Sequence, residues 1–267
     1  MKTVVITGST RGIGFGLARA FLERGCNVVI SSRQQDSVEQ AVESLGAQFT
    51  RERVIGRACD VADHEQVQSL WDAAKEHFGR IDIWVNNAAL SATALPMWEV
   101  APNLLYSVVN ANLTGTIYGC KVAIQGMIAQ GSVGGHIYNM EGLGSNGEVM
   151  DGTTTYGSTK YGLVYLTKAL NRELGDSPVM VSSISPGIVI TELLMNSVSP
   201  GREEQSKRIF NILADRVETV APWLTERVLA NEQRGARIAW LTRPKIFGRF
   251  LTAPFRKRDL FTGNGAA

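Results

Sequence analysis

The sequence predicts an α/β fold: a doubly wound parallel sheet between two layers of helices, formed as one domain by 267 residues. Three observations predict it. Short β-branched runs alternate with longer helical patterns, the signature of βαβ units. The runs are almost continuously apolar, as strands covered on both faces must be. A glycine-rich turn, "TGSTRGIG", stands directly between the first run and the first helical segment.

The elements follow in order. "KTVVIT" (2–7) predicts the first strand and 13–24 the first helix. "NVVISS" (27–32) is followed by a helix over 35–45, and "ERVIGRA" (52–58) by one over 64–78. "IDIWVN" (81–86) leads into a long helix over 103–130. "GHIYNM" (135–140), a helix over 154–174 and "VMVSSIS" (179–185) complete six strands. Beyond residue 190 the pattern loosens. "EEQSKRIFNILADRVETVAPWLTERVLANEQ" reads as two helices over a substrate cleft, and "RIAWLT" (237–242) as a seventh strand. Right-handed crossovers then give the doubly wound order.

Composition narrows the function classes. Hydrophobic residues make up 44% and charged residues 19%, ordinary for a globular domain. A formal net charge of +2 carries no nucleic-acid footprint. Cys26, Cys59 and Cys120 are widely spaced and odd in number, so they read as reduced buried thiols and not as metal ligands. No apolar run approaches the roughly eighteen residues of a membrane span. "MKTVVITGS" enters a strand with no signal-peptide core. The expected compartment is cytoplasmic, or the plastid stroma if a transit peptide has been removed.

The loop residues Gly8, Ser9, Thr10, Arg11, Gly12, Ile13 and Gly14 are the candidate dinucleotide site. The first glycine permits the tight turn, the second lets backbone N–H groups reach a pyrophosphate, and the third lets helix and strand pack closely. An acidic residue about twenty residues on would bind a ribose 2′-OH and select NAD. At that place the chain has Ser31, Ser32 and Arg33. Arg33, with Arg11 from the loop, suits a dianionic 2′-phosphate, so the expected cofactor is NADPH.

The spacing G-x-x-x-G-x-G resembles the loop of the short-chain dehydrogenase/reductase superfamily, whose fold is of the Rossmann type. "DV" at Asp60–Val61 and "NNAA" at 86–89 match its next motifs, although Ala89 stands where the family usually has glycine. The resemblance implies that Asp60 and Val61 border the adenine and that Asn87 and Ala88 lie beside the cofactor; a turn or cap is the competing role for Asp60. "YGSTK" places Tyr156 and Lys160 on one helix face. Tyr156 would be the general acid for a carbonyl accepting hydride, with the Lys160 ammonium lowering its pKa. By resemblance Lys160 also holds the nicotinamide ribose, and Asn112 of "NANLTG" organises a water relay. In "SPGIVIT", Pro186 and Gly187 shape a turn, and Ile188 and Thr191 would contact the carboxamide. The superfamily usually forms dimers or tetramers through the helices near 103–130 and 154–174.

One feature departs from that pattern. The superfamily's serine donates to the substrate oxygen, and losing such a donor costs about 3–4 kcal/mol. Counted from Asn139, its place falls on Gly142. "GGHIYNMEGLGS", "YGSTKYGL", "VETVA" and "LTRPKIF" resemble the chlorophyll(ide) b reductases, which also have an acidic residue and glycine there. That resemblance implies NADPH-dependent reduction of a 7-formyl to a 7-hydroxymethyl group. Ser145, curled back over a glycine-rich loop, and Glu141, protonated or linked through water, are the two candidates to replace the serine; a salt-bridged structural Glu141 is the alternative. Another large hydrophobic aldehyde or ketone is an open substrate reading, and a non-catalytic NADPH-binding sensor or scaffold is the rival from a different class. Finally, in 243–258, Ile246, Phe247, Phe250 and Leu251 fall on one helix side and Lys245 and Arg249 on the other. That pattern fits peripheral membrane contact, or aromatics packed on the body or a second subunit with the cations solvated.

Overall fold

Seven strands pair in parallel in the order β3-β2-β1-β4-β5-β6-β7. They are β1 (Thr3–Ile6), β2 (Asn27–Ser32), β3 (Val54–Ala58), β4 (Ile83–Asn86), β5 (Gly135–Met140), β6 (Val179–Ser185) and β7 (Arg237–Ala239). The strand order reverses between β1 and β4, which opens a crevice at their carboxyl ends. The computed structural model describes residues 1–91, 95–198, 201, 203–255 and 258–261.

Strand alternation sorts the helices into two layers. Val4 and Ile6 pack with Leu17 and Phe21 of α1 (Gly12–Glu23), Val38 and Val42 of α2 (Gln35–Gln48) and, much later in the chain, Val220 and Leu224. Val5 and Trp84 pack on the other face with Leu70 and Trp71 of α3 (His64–Phe78) and with Val122 and Met127. Each such side chain contributes about 1.5–3 kcal/mol by leaving water. α3 starts where Asp63 accepts from Glu65 N and Gln66 N at 2.9 and 3.2 Å, and it ends at Gly79.

The helix expected over 103–130 is interrupted. It forms as α4 (Pro102–Val109), a π turn (Asn110–Thr114) and α5 (Gly115–Ala129). The extra residue turns Asn112 inward, where it is fully buried. α6 (Thr154–Leu174) is unbroken. Beyond β6 lie α7 (Glu192–Met195), α8 (Glu203–Leu213), α9 (Val217–Leu229), which carries Val220 and Leu224, and α10 (Arg243–Thr252). The seventh strand exists but covers only three residues of the expected six.

The faces of α10 are the reverse of the solvated-cation expectation. Arg249 pairs with Asp215 at 2.6 Å and Lys245 Nζ lies 3.0 Å from the Trp240 ring centroid. Phe247, Phe250, Leu251 and Phe255 are exposed. A buried carboxylate and a half-buried indole draw the cations inward. Arg256 and Lys257 of this segment lie outside the described residues. Among the described residues no helix is long and apolar enough to cross a membrane.

Candidate active site

The turn after β1 is held by the end of β4. Asn87 Nδ2 donates to Thr7 O and Gly8 O at 2.9 and 2.8 Å, and Thr7 Oγ1 accepts from Asn87 N and Ala88 N at 3.0 and 3.1 Å. Gly8 has φ +61°, and a Cβ there would run into Ala88; a Cβ on Gly14 would overlap Gly8 O and Asn87 Nδ2. Arg11 provides no side-chain cap to α1, and its first turn holds no acid, so its leading N–H groups face the crevice free for an anion. These features fit a dinucleotide pyrophosphate. Ser9 serves the loop itself. Its Oγ donates to Ile6 O at 2.6 Å and accepts from Ser31 N at 3.0 Å. Thr10 and Ile13 are half-buried at the turn.

Arg33 is exposed at the end of β2, with no ion-pair partner among the described residues. Arg11 is ion-paired with Glu192 at 2.5 Å across the crevice, both groups exposed. Ser32 Oγ accepts from Gln34 N, whereas Ser31 Oγ is buried and unpartnered. Asp60 closes a turn, its Oδ1 accepting from Ala62 N at 3.0 Å, and Val61 is buried against α5 at Gly115.

Tyr156 and Lys160 share a face of α6, as their spacing requires. Lys160 is buried, donates to Met140 O at 3.0 Å, and has its Nζ 5.6 Å from the Tyr156 ring centroid. Desolvation lowers its pKa to about 8, with Glu141 opposing. The expected lowering of the Tyr156 pKa is not found: burial pushes the phenol up to about 12. The ammonium is directed at a carbonyl and lies beside the ring, so burial dominates. Asn112 Oδ1 accepts from Leu90 N at 2.7 Å, and its Nδ2 donates to Leu90 O and Thr159 Oγ1 at 2.9 and 3.1 Å. It thereby pins the segment after β4 to α6.

A Cβ on Gly142 would overlap Tyr156 Oη, so the phenol occupies the room a serine there would need. Ser145 does curl back: its amide donates to Gly142 O at 3.1 Å. Its hydroxyl, however, accepts from Gly142 N at 3.1 Å and donates to Lys160 O at 3.3 Å, under the loop. Glu141 is held inside the fold by its own partners. It is buried, accepts from Arg237 Nε at 2.8 and 3.0 Å and from Ser183 Oγ at 2.8 Å, and pairs with Arg237 Nη2 at 2.7 Å. The salt-bridged alternative is the one that forms.

Pro186 is buried and Gly187 turns the chain with φ +73°. Ile188 is half-buried beside the Val189–Asp215 bridge. Thr191 Oγ1 accepts from Leu194 N, and its methyl would lie 3.4 Å from a Cβ on Gly12, so this segment meets the phosphate loop. Sequence reasoning missed Arg237, Asp215 and the pinning role of Thr7. Thr7 opens the quoted loop motif and was legible; Arg237 and Asp215 find their partners only in the fold. Leu95, Met97, Trp98, Val149, Met150, Leu193 and Met195, all exposed, follow β4, β5 and β6 and so belong to the same end of the sheet.

Residues 2–201 match the model of the family described as short chain dehydrogenase. The chloroplastic chlorophyll(ide) b reductase NOL of Oryza sativa subsp. japonica is 39% identical over 257 residues, 93% of this chain and 74% of that protein. The probable chlorophyll(ide) b reductase NYC1 of Arabidopsis thaliana is 36% identical over the whole chain, which spans 56% of that protein's length. Among solved structures, an actinorhodin polyketide ketoreductase variant with NADPH has a TM-score of 0.77 at 26% identity, covering 90% of this chain and 95% of that one. A 3-ketoacyl-(acyl-carrier-protein) reductase from Brucella melitensis complexed with NADH has a TM-score of 0.79 at 23% identity, covering 90% and 96%. With the loop, the Tyr156–Lys160 pair and the sheet order all in place, the chain belongs to the short chain dehydrogenase family of oxidoreductases.

Proposed function

We propose that the chain is an NADPH-dependent carbonyl reductase acting on the 7-formyl group of chlorophyll(ide) b. The observation that carries the substrate reading is the similarity to chlorophyll(ide) b reductases across 93% to 100% of the chain. The exposed apolar side chains after β4, β5 and β6 suit a large planar, hydrophobic substrate. The bound cofactor would supply hydride. Tyr156 would donate the proton to the carbonyl oxygen, and Lys160, its charge easily shifted, would tune the phenol and hold the nicotinamide ribose. Asn112 would order the relay behind Lys160. Gly142 would leave the substrate-oxygen donor to Tyr156.

Arg33 supports NADPH, because its guanidinium is available for a 2′-phosphate and no carboxylate competes at the end of β2. Arg33→Glu is expected to shift the ratio of kcat/KM from NADPH toward NADH by at least about tenfold. The substrate test is anaerobic incubation with NADPH and chlorophyllide b, followed by absorbance. Loss of the formyl spectrum supports the reading. Turnover of other aldehydes but not of chlorophyllide b would move the assignment to another large carbonyl, and NADPH binding without any turnover would favour a sensor. The exposed aromatic face of α10 supports contact with the lipid that carries such a pigment. Flotation with anionic liposomes, abolished by Phe250→Asp with Phe255→Asp, is the expected result. A pigment substrate implies a plastid stroma, or the cytoplasm of a cell that keeps its pigment there.

A further inference from the structure

Two distant parts of the chain converge on Asp215, in the turn between α8 and α9. Its backbone bridges the segment after β6: Asp215 N donates to Ile188 O and Ile190 N donates to Asp215 O, each at 3.0 Å. Its side chain, 7% exposed, accepts from Trp240 Nε1 at 2.6 Å, Arg249 Nη2 at 2.6 Å and Arg258 Nη2 at 2.7 Å. The same arginines reach the last carbonyls of α8 and its turn. Arg249 donates to Leu213 O at 2.7 Å, and Arg258 to Ile212 O and Ala214 O at 3.1 and 2.8 Å. Cations there oppose the negative end of the helix.

This junction is held mainly by polar contacts, with the Phe210 and Phe261 rings 6.5 Å apart beside them. Neither α8 nor α10 contains a fully buried residue, and their apolar side chains that face the body, such as Phe210 and Ile246, are only half-buried. A carboxylate between two guanidiniums is costly to bury unless every donor finds an acceptor. Here the inward-facing guanidinium groups do. The bridged residues, Ile188 to Ile190, lie immediately before Thr191, which touches the phosphate loop at Gly12.

We infer that Asp215 is a positioning residue: the strap formed by α10 and Arg258 grips its carboxylate, and its backbone in turn sets the 188–190 segment against the cofactor crevice. The inference rests on the proposed reading of that segment as the nicotinamide contact. The strap therefore adjusts where the hydride donor and the carbonyl meet, without touching either.

The test uses the full chain and the variants Arg258→Gln, Asp215→Asn and Asp215→Glu. Three quantities are read: amide hydrogen exchange at Ile190 and Asp215, the Kd for NADPH from nucleotide fluorescence, and kcat and KM with chlorophyllide b. Arg258→Gln is expected to speed exchange at both amides and to worsen Kd and kcat about tenfold, while KM for the carbonyl stays within about twofold. Asp215→Glu should recover part of what Asp215→Asn loses. A lowered Tm with exchange, Kd and kcat unchanged below the transition would overturn the inference. If Asp215→Asn does not fold, Arg258→Gln, whose site is partly open to solvent, decides alone. If the wild-type chain fails to reduce chlorophyllide b, the substrate reading falls, and exchange with nucleotide affinity still decides the strap.

Discussion

Lys160 and Tyr156 are the proposed proton-handling pair, and burial shifts their pKa values in opposite directions. Lys160 has its pKa lowered to about 8, so between there and its unfolded value the unfolded chain binds more protons and stability rises with pH. Tyr156, Cys59 and Cys120, pushed up to about 12, act the other way only at higher pH, above the ordinary thiol and phenol values. Urea unfolding at pH 7 and pH 9 should therefore show wild type gaining on Lys160→Met by on the order of 1 kcal/mol; parallel behaviour would mean that the ammonium is not desolvated. Tyr156→Phe is expected to cut kcat by on the order of 10²–10⁴ with NADPH affinity kept. Gly142→Ser, which restores the residue of the wider family, should instead destabilise by about 1–3 kcal/mol in urea, because the new side chain and Tyr156 Oη need the same room. The pairing of Tyr156 with Lys160 was legible, since spacing on a helix sets a shared face. The direction of the Lys160 ammonium was not, because Met140 O is brought to it by the sheet.

At the scale of elements, the strands were the most legible feature. Continuous apolar runs bounded by turns leave a strand few alternatives in an α/β chain. The π turn at 110–114 was hidden, because its cause is a pair of backbone groups twenty-two residues away in the chain, Leu90 N and O, that Asn112 satisfies. Asn112→Ala should leave both unpaired and cost about 1–3 kcal/mol, read as a lowered Tm together with reduced turnover. β5, β6 and the end of α9 are also joined by a polar network. His136 Nε2 lies 2.8 Å from Ser182 Oγ, and Tyr138 Oη lies 3.1 Å from His136 Nδ1 and accepts from Asn231. Burial lowers the His136 pKa to about 4. The folded state thus holds fewer protons than the unfolded one between about pH 4 and 6.5, and stability should fall as pH drops through that window. Unfolding midpoints of wild type and His136→Gln, measured at pH 7 and pH 5, check this: the variant should lose less.

For the whole molecule, a further apolar surface remains without cover among the described residues. Tyr106, Ile117, Tyr161 and Tyr165 are exposed on α4, α5 and α6, and an assembly through these helices would bury them. Sedimentation should show a dimer or tetramer that Tyr165→Asp drives toward monomer; an unchanged size would place the interface elsewhere. The sequence by itself determined the α/β class, the strand order's starting material, the phosphate loop and the Tyr156–Lys160 pair. These depend on periodicity and on short-range spacing, which a linear chain displays directly. Only the tertiary structure decided that Glu141 belongs to Arg237, that Ser145 serves α6, that Tyr156 occupies the space above Gly142, and that Lys245 and Arg249 of α10 turn inward. Each of those outcomes is a choice among partners distant in sequence, and the choice is made by which charges and donors the packed sheet brings within hydrogen-bond reach.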